Sequence, residues 1–183
     1  MKAQSIRRAG LQDASLLAEF GAKTFLETFG GANEPRNIER YVAETFSEAR
    51  TRAALADERC HYWIAHGLSG APVGYAKLRV GFRPECVHGT HPVEIQRIYV
   101  AKEVIGTGLG AALMRTVLTW AERCEFDRIW LGVWEKNPHA IEFYERWEFR
   151  SVGKHVFRLG SDDQTDLIME RALSGGLPLT ARH

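Results

Sequence analysis

Three glycines at alternate positions lie in the run Ile105-Gly106-Thr107-Gly108-Leu109-Gly110-Ala111. From Gly108 to Cys124, Leu109, Leu113, Val117, Trp120, Ala121 and Cys124 keep helical spacing, with Arg115, Thr119, Glu122 and Arg123 on the opposite face. The segment Val93-Glu94-Ile95-Gln96-Arg97-Ile98-Tyr99-Val100, just before the run, reads as a strand in which polar residues interrupt the apolar ones. A strand feeding a helix through alternate glycines brings backbone N–H groups together without Cβ obstruction, at the positive end of the helix dipole. A phosphate or pyrophosphate is the expected guest. A tight turn with no ligand is the plainer alternative for isolated glycine pairs.

The run lacks the Gly-Lys-Ser/Thr of a P-loop. Gly106-x-Gly108-x-x-Ala111 satisfies the loose dinucleotide fingerprint, and Glu135 follows the next strand where a ribose-binding acid would stand. The context is wrong for a nicotinamide fold, which opens with this unit and adds several βα units after it. Here about half the chain precedes the turn.

The remaining pattern sets the fold class. Ile6 to Ala9 reads as a first strand. A helix follows from about Asp13, a candidate N-cap, with Leu16, Leu17, Phe20, Thr24, Phe25 and Phe29 at helical spacing before Gly30-Gly31. A second helix runs from about Glu34 through Ile38, Tyr41, Val42, Thr45 and Phe46. His61–His66 and Val73–Val80 form a hairpin around Gly67–Pro72, and Cys86–Pro92 is a polar loop. Ile129–Trp134 is an apolar strand, Asn137 to about Trp147 a helix, and Phe149–Leu159 and Thr165–Glu170 are closing strands around a turn at Gly160-Ser161-Asp162-Asp163. The expected order is β-α-α-β-β-β-α-β-α-β-β, an α/β or α+β fold with a mixed sheet. Residues 1–173 are expected to form one domain, with 174–183 as a tail.

Composition narrows the function classes. Lys plus Arg number 24 against 23 Asp plus Glu, so the basic surplus that phosphate contacts to nucleic acid require is missing. No run approaches the roughly 20 apolar residues of a membrane span. Met1 to Arg8 lacks the apolar stretch of a signal peptide. Cys60, Cys86 and Cys124 are scattered and form no CxxC pair, so a reducing cytoplasm is the expected compartment.

Glu94-Ile95-Gln96-Arg97-Ile98-Tyr99-Val100 followed by Gly106-x-Gly108-x-Gly110 resembles the pyrophosphate motif of the GNAT acyl-CoA-dependent N-acetyltransferases, Gln/Arg-x-x-Gly-x-Gly/Ala. Ile105 falls in the Gln/Arg slot, Gly108 on the first glycine and Gly110 on the second. Trp130 to Phe149 is similar to the second cofactor motif, with Asn137, Ala140 and Tyr144 in its Asn-x-x-Ala-x-x-x-Tyr spacing. The element order matches over nearly the whole chain. Leu131-Gly132-Val133-Trp134-Glu135-Lys136-Asn137 and Asp163 to Met169 resemble the PaiA-like branch, which acetylates spermidine and spermine. Two positions depart from the family pattern. Ile105 leaves cofactor binding to backbone amides, and Trp147-Glu148-Phe149 lacks the usual Gly before Phe, which implies a local change of turn.

The resemblance implies acetyl-CoA as cosubstrate and a sheet that splays beside the Val93–Val100 strand. The backbone of Ile98, Tyr99 and Val100 would then meet the pantetheine arm, and Ile105, Gly106, Thr107, Gly108, Leu109, Gly110 and Ala111 the pyrophosphate. Asn137, Ala140 and Tyr144 complete the cofactor side. Amine acetylation needs a neutral amine, although alkylamines share lysine's pKa of roughly 10.4, and a proton for the leaving thiolate. Glu94 and Gln96 share one strand face, opposite in sense to Ile95 and Arg97. Glu94 is the candidate base and Gln96 orients a water or the amine, although a bulge would change which side chain faces the cleft. A solvated residue at a strand start is the plain alternative for Glu94. Tyr144, a phenol protonated at neutral pH, is the candidate proton donor to sulfur; on periodicity alone it is a packed aromatic beside Phe143.

The implied acceptor is a small polyamine-like primary amine, attacked directly in a ternary complex. The alternatives are peptide or protein N-terminal or lysine acetylation, and a non-catalytic acyl-CoA-binding domain. A homodimer is an admissible assembly, with neither nucleic acid nor membrane as partner. Cys86-x-His88-x-x-His91-x-x-Glu94 carries metal-accepting residue types, yet its spacing fits no standard zinc site and reads as a polar loop. Trp120, Trp130, Trp134 and Trp147 fall on faces expected to be buried. Asp162, Asp163 and Asp166 would either hold a cationic amine or form a solvated acidic turn.

Overall fold

Apolar, β-branched segments alternating with amphipathic ones give a central sheet covered by helices on both faces. The computed structural model describes residues 5–159 and 162–174. Its elements are β1 (Ser5–Arg8), α1 (Ala14–Phe29), α2 (Pro35–Thr45), α3 (Glu48–Ala56), β2 (Cys60–His66), β3 (Pro72–Val80), β4 (Pro92–Val100), α4 (Leu109–Arg123), β5 (Arg128–Trp134), α5 (Pro138–Arg146), β6 (Arg150–Leu159) and β7 (Asp162–Ala172). The seven strands lie in the order β1-β2-β3-β4-β5-β7-β6. Every neighbouring pair is antiparallel except β4–β5. This is the expected α+β architecture and order, with one helix added.

The added helix is α3. Ser47 caps it by accepting from the Arg50 N–H at 3.3 Å, but only Thr51 of the helix is buried. A helix that lies on the surface carries no apolar stripe, so hydrophobic periodicity did not mark it. Asp13 occupies the N-cap position of α1, yet its carboxylate accepts from the Gly10 N–H at 2.8 Å and pairs with Arg7 at 2.7 Å. The last strand starts at Asp162, three residues before the expected Thr165. Gly160 and Ser161 of the expected turn, and the expected tail beyond Ser174, lie outside the described residues.

Helix α4 packs on one face of the sheet. Leu113, Met114, Val117 and Ala121, all at 0% exposure, join Ile64, Leu78, Val93, Ile95 and Ile129 in the main core. Gly74 lets the two layers close: a Cβ there would sit 3.1 Å from both Leu113 and the Tyr99 carbonyl. On the other face α1 sets Phe20 edge-on to Tyr75, with centroids 6.1 Å apart. A second core of Phe25, Ile38, Phe46 and Leu159 ties α1 and α2 to the end of β6. No described helix is long and apolar enough to cross a membrane.

Candidate active site

The parallel strands β4 and β5 pair only through Pro92–Arg128, Val93–Ile129 and Glu94–Trp130. Beyond that point β4 stays with β3 as far as Gly74–Val100, and β5 stays with β7 as far as Trp134–Asp166. The β4 edge from Ile95 to Val100 therefore faces β5 without pairing. The cause is local. Leu78 pairs with Ile95 and Lys77 with Arg97, so Gln96 is inserted as a bulge two residues past the last shared rung. A bulge bends its strand and increases its twist, turning β4 away from β5.

A cleft of about 1320 Å3 opens in the fork, lined by Glu94 to Val100, by Gly106, Gly108, Gly110 and Ala111, and by Asn137, Ala140 and Tyr144. The glycine turn forms its far wall. Gly106 has φ +83° and Gly108 φ +90°, and a Cβ built on either would meet nothing within 4 Å. Glycine is needed there for backbone conformation, while the space in front stays open. Gly108 is the N-cap of α4 and offers no side-chain cap. The first helical hydrogen bond runs from the Ala112 N–H to the Gly108 carbonyl, so the N–H groups of Leu109, Gly110 and Ala111 have no acceptor within the helix. Donors, dipole and open space together suit a diphosphate.

The other turn residues are placed differently. Ile105 is 67% exposed at the cleft rim. Thr107 lies off the cleft, its N–H and hydroxyl both donating to the Val104 carbonyl, at 3.2 and 2.7 Å. The Leu109 side chain belongs to the core, leaving only its backbone N–H to serve a ligand.

Asn137 begins α5: its Oδ1 accepts from the Ala140 N–H at 3.2 Å, and Pro138 follows at the first helical position. Two turns on, Tyr144 lines the cleft with its ring against Phe143 and Phe149, at centroid distances of 5.4 and 5.8 Å. Burial pushes its phenol up to about 12, so it carries its proton at neutral pH and can donate it.

Glu94 is buried at 8% exposure, not solvated. Arg79 Nε donates to Glu94 Oε2 at 2.6 Å. Burial raises the carboxyl above its ordinary value, and the Arg79 guanidinium partly offsets this. The bulge overturns the expected alternation. Glu94 lies opposite Arg79 and Arg97 opposite Lys77, two residues apart on β3, so Arg97 shares the Glu94 face instead of opposing it. There Arg97 stacks over Phe46 at 4.5 Å. Gln96 borders both this cleft and a second cavity of about 480 Å3. Its Oε1 is buried with no hydrogen-bond partner, an acceptor free to receive an N–H or a water.

Several cleft residues escaped the sequence reading as site residues. Phe25, Phe29 and Tyr41 from α1 and α2 share the cleft with Trp134, His155 and Phe157 from β5 and β6, beside Asp166 of β7, which the sequence offers as a cation-holding residue. Trp134 and Trp147, expected in the core, are half-buried cleft residues, whereas Trp130 is 2% exposed. The three aspartates separate: Asp163 pairs with Arg158 at 2.8 Å, Asp162 accepts from Gln164, and only Asp166 lines the cleft. The run from Cys86 to Glu94 disperses as well, with His88 bonded to Glu170 at 2.8 Å and Glu94 to Arg79.

Comparison with known proteins agrees with this geometry. The model of the acetyltransferase (GNAT) family matches residues 23–149. An uncharacterized N-acetyltransferase of Mycobacterium bovis is 36% identical over 163 residues, covering 89% of this chain and 99% of the relative. The spermine/spermidine N(1)-acetyltransferase of Bacillus subtilis is 32% identical over 113 residues, covering 58% of this chain and 73% of the relative. The PaiA N-acetyltransferase of Thermoplasma acidophilum, solved in complex with coenzyme A, superposes with a TM-score of 0.73 at 19% identity, covering 94% of this chain and 99% of that one. With the forked sheet and the glycine turn already in place, the conclusion is that this chain belongs to the GNAT acetyltransferase family and is an N-acetyltransferase.

Proposed function

We propose that the enzyme moves an acetyl group from acetyl-CoA to a primary amine of a small polyamine-like acceptor, by direct transfer with both substrates bound. The observation that carries this reading is the unpaired β4 edge, which runs from the glycine turn past Tyr144 to the buried Glu94. The polyamine class is supported by the Bacillus subtilis relative, whose name specifies spermine and spermidine.

When bound, acetyl-CoA supplies the acetyl group as a thioester. The N–H groups of Leu109, Gly110 and Ala111 hold its diphosphate. The backbone of Ile98, Tyr99 and Val100 holds the pantetheine arm as an added strand would be held. Gln96 Oε1 orients the amine or the water beside it. Glu94 takes the amine proton, directly or through that water, and its raised pKa makes it a better base than an exposed carboxylate. As the C–N bond forms and the C–S bond breaks, Tyr144 gives its proton to the departing sulfur. No cysteine lines the cleft, so nothing at the site favours an acetyl-enzyme. A thiol-release assay with acetyl-CoA against spermidine, spermine, amino acids and N-terminal peptides tests the proposal. Turnover confined to the polyamines supports it, and turnover confined to peptides contradicts it.

A further inference from the structure

Four carboxylates line the cleft: Glu27, Glu94, Glu142 and Asp166. Three have cationic partners, with Lys23 3.6 Å from Glu27, Arg79 2.6 Å from Glu94 and Arg146 3.8 Å from Glu142. Asp166 has no Lys or Arg within ion-pair distance among the described residues. Its near neighbour is His155, and burial raises the carboxyl above its ordinary value. A partly buried carboxylate without a committed cation carries a desolvation cost that a bound cation would offset.

Asp166 is held in a particular frame. It lies in register between Trp134 on β5 and His155 on β6, so the three side chains share one sheet face. Phe157, two residues beyond His155, lies on the same face. Gly132, two residues before Trp134, makes room for the two side chains: a Cβ there would stand 3.3 Å from His155 Cε1 and 3.4 Å from Asp166 Oδ2. Helices α1 and α2 close the surround. The Phe29 and Trp134 rings are 6.0 Å apart and the Tyr41 and Phe157 rings 5.5 Å, with Phe25 stacked 4.8 Å from Tyr41. Aromatic walls around a carboxylate exclude water and turn π faces toward a cation.

The geometry points to Asp166, Trp134, Phe29, Tyr41 and Phe157 as a cation subsite that holds a second positively charged group of the acceptor while its reacting amine faces Glu94. The acceptor is thereby a diamine or longer polyamine, and neither a monoamine nor an amino acid. This deepens the proposed function and rests on it. It also separates the three aspartates of the closing strands, since Asp162 and Asp163 are engaged elsewhere.

Putrescine and n-butylamine have the same carbon chain and differ by one ammonium group, so they isolate the subsite. Steady-state kinetics of the full-length enzyme should show a higher kcat/KM for putrescine by about 10-fold or more, the size of a desolvated cation contact. Asp166→Asn should raise the putrescine KM by a similar factor with little change in kcat, and leave butylamine kinetics unchanged. Trp134→Leu should act in the same direction, and the coenzyme A affinity of both variants, read by calorimetry, should match that of the parent. A parent enzyme that treats the two amines alike, or an Asp166→Asn variant that keeps the preference, would overturn the subsite while leaving amine acetylation standing. Turnover of neither amine, nor of spermidine or spermine, by the parent would overturn both.

Discussion

Glu94 and Trp130 form the last rung at which β4 and β5 lie in register. Two residues further along β4, the Gln96 bulge turns the strand aside. The candidate base thus sits at the apex of the fork, buried against Arg79, with the open β4 edge leading away toward the glycine turn. A pair of parallel strands that separates at a bulge yields, from main-chain geometry alone, a slot for an extended ligand and a carboxylate at its closed end.

Glu94 is active as a base only when ionised, so activity should be present above its pKa and lost as pH falls through it. Because burial raises that pKa, the acid limb of kcat/KM should lie above the ordinary carboxylate range. Arg79→Gln removes the group that holds it down, and should move the limb to still higher pH. Glu94→Gln should abolish the limb and lower kcat/KM on the order of 100-fold. An acid limb that stays in place in both variants would remove Glu94 from proton transfer.

Tyr144→Phe keeps the ring packing against Phe143 and Phe149 and deletes only the hydroxyl. The expected result is a kcat lower by on the order of 100-fold, with coenzyme A affinity unchanged by calorimetry. Since the Tyr144 phenol is pushed up to about 12, its ionisation should contribute no alkaline loss of activity through the neutral and mildly basic range. An unchanged kcat in the variant would exclude Tyr144 as the acid.

Glu148 bears on the chain's departure from the family's Gly-Phe pattern. At that position Glu148 takes φ +66°, a region glycine enters without penalty. Its ion pair with Arg171, at 3.5 Å and with 78% of the Glu148 side chain exposed, contributes little. Glu148→Gly should therefore stabilise the fold by about 1 kcal/mol, less the added freedom of the unfolded chain. Denaturant unfolding measures it, and a lower midpoint at equal slope would contradict the strain argument.

Gly108→Val adds a branched side chain to the open space before α4 and strains a residue at φ +90°. Coenzyme A affinity should fall at least 10-fold, about 1.4 kcal/mol at 25 °C. Thermal unfolding of the ligand-free variant separates this loss from simple destabilisation. Retained affinity would place the diphosphate elsewhere.

The sheet, α4 and the glycine turn were legible because each has a local signature: period-two strands, a period-3.6 stripe, and glycines where φ must be positive. Asn137 and Tyr144 were found through motif spacing, and both reached the cleft. What escaped has no local signature. The Gln96 bulge is set by how β4 meets β3, and it reversed the facing of Arg97. Burial of Glu94 against Arg79 joins residues fifteen apart in the chain. Helix α3 lies on the surface with no apolar stripe. The aromatic surround of Asp166 gathers residues from α1, α2, β5 and β6, each indistinguishable in its own segment from a core aromatic.

A crystal structure of the enzyme with coenzyme A tests the central claim most directly. The diphosphate oxygens should accept from the N–H groups at the start of α4, the pantetheine should lie along Ile98–Val100 between β4 and β5, and the sulfur should come within hydrogen-bonding reach of the Tyr144 hydroxyl. Coenzyme A bound outside the fork, or a diphosphate that avoids the Gly108–Ala111 amides, would contradict the account.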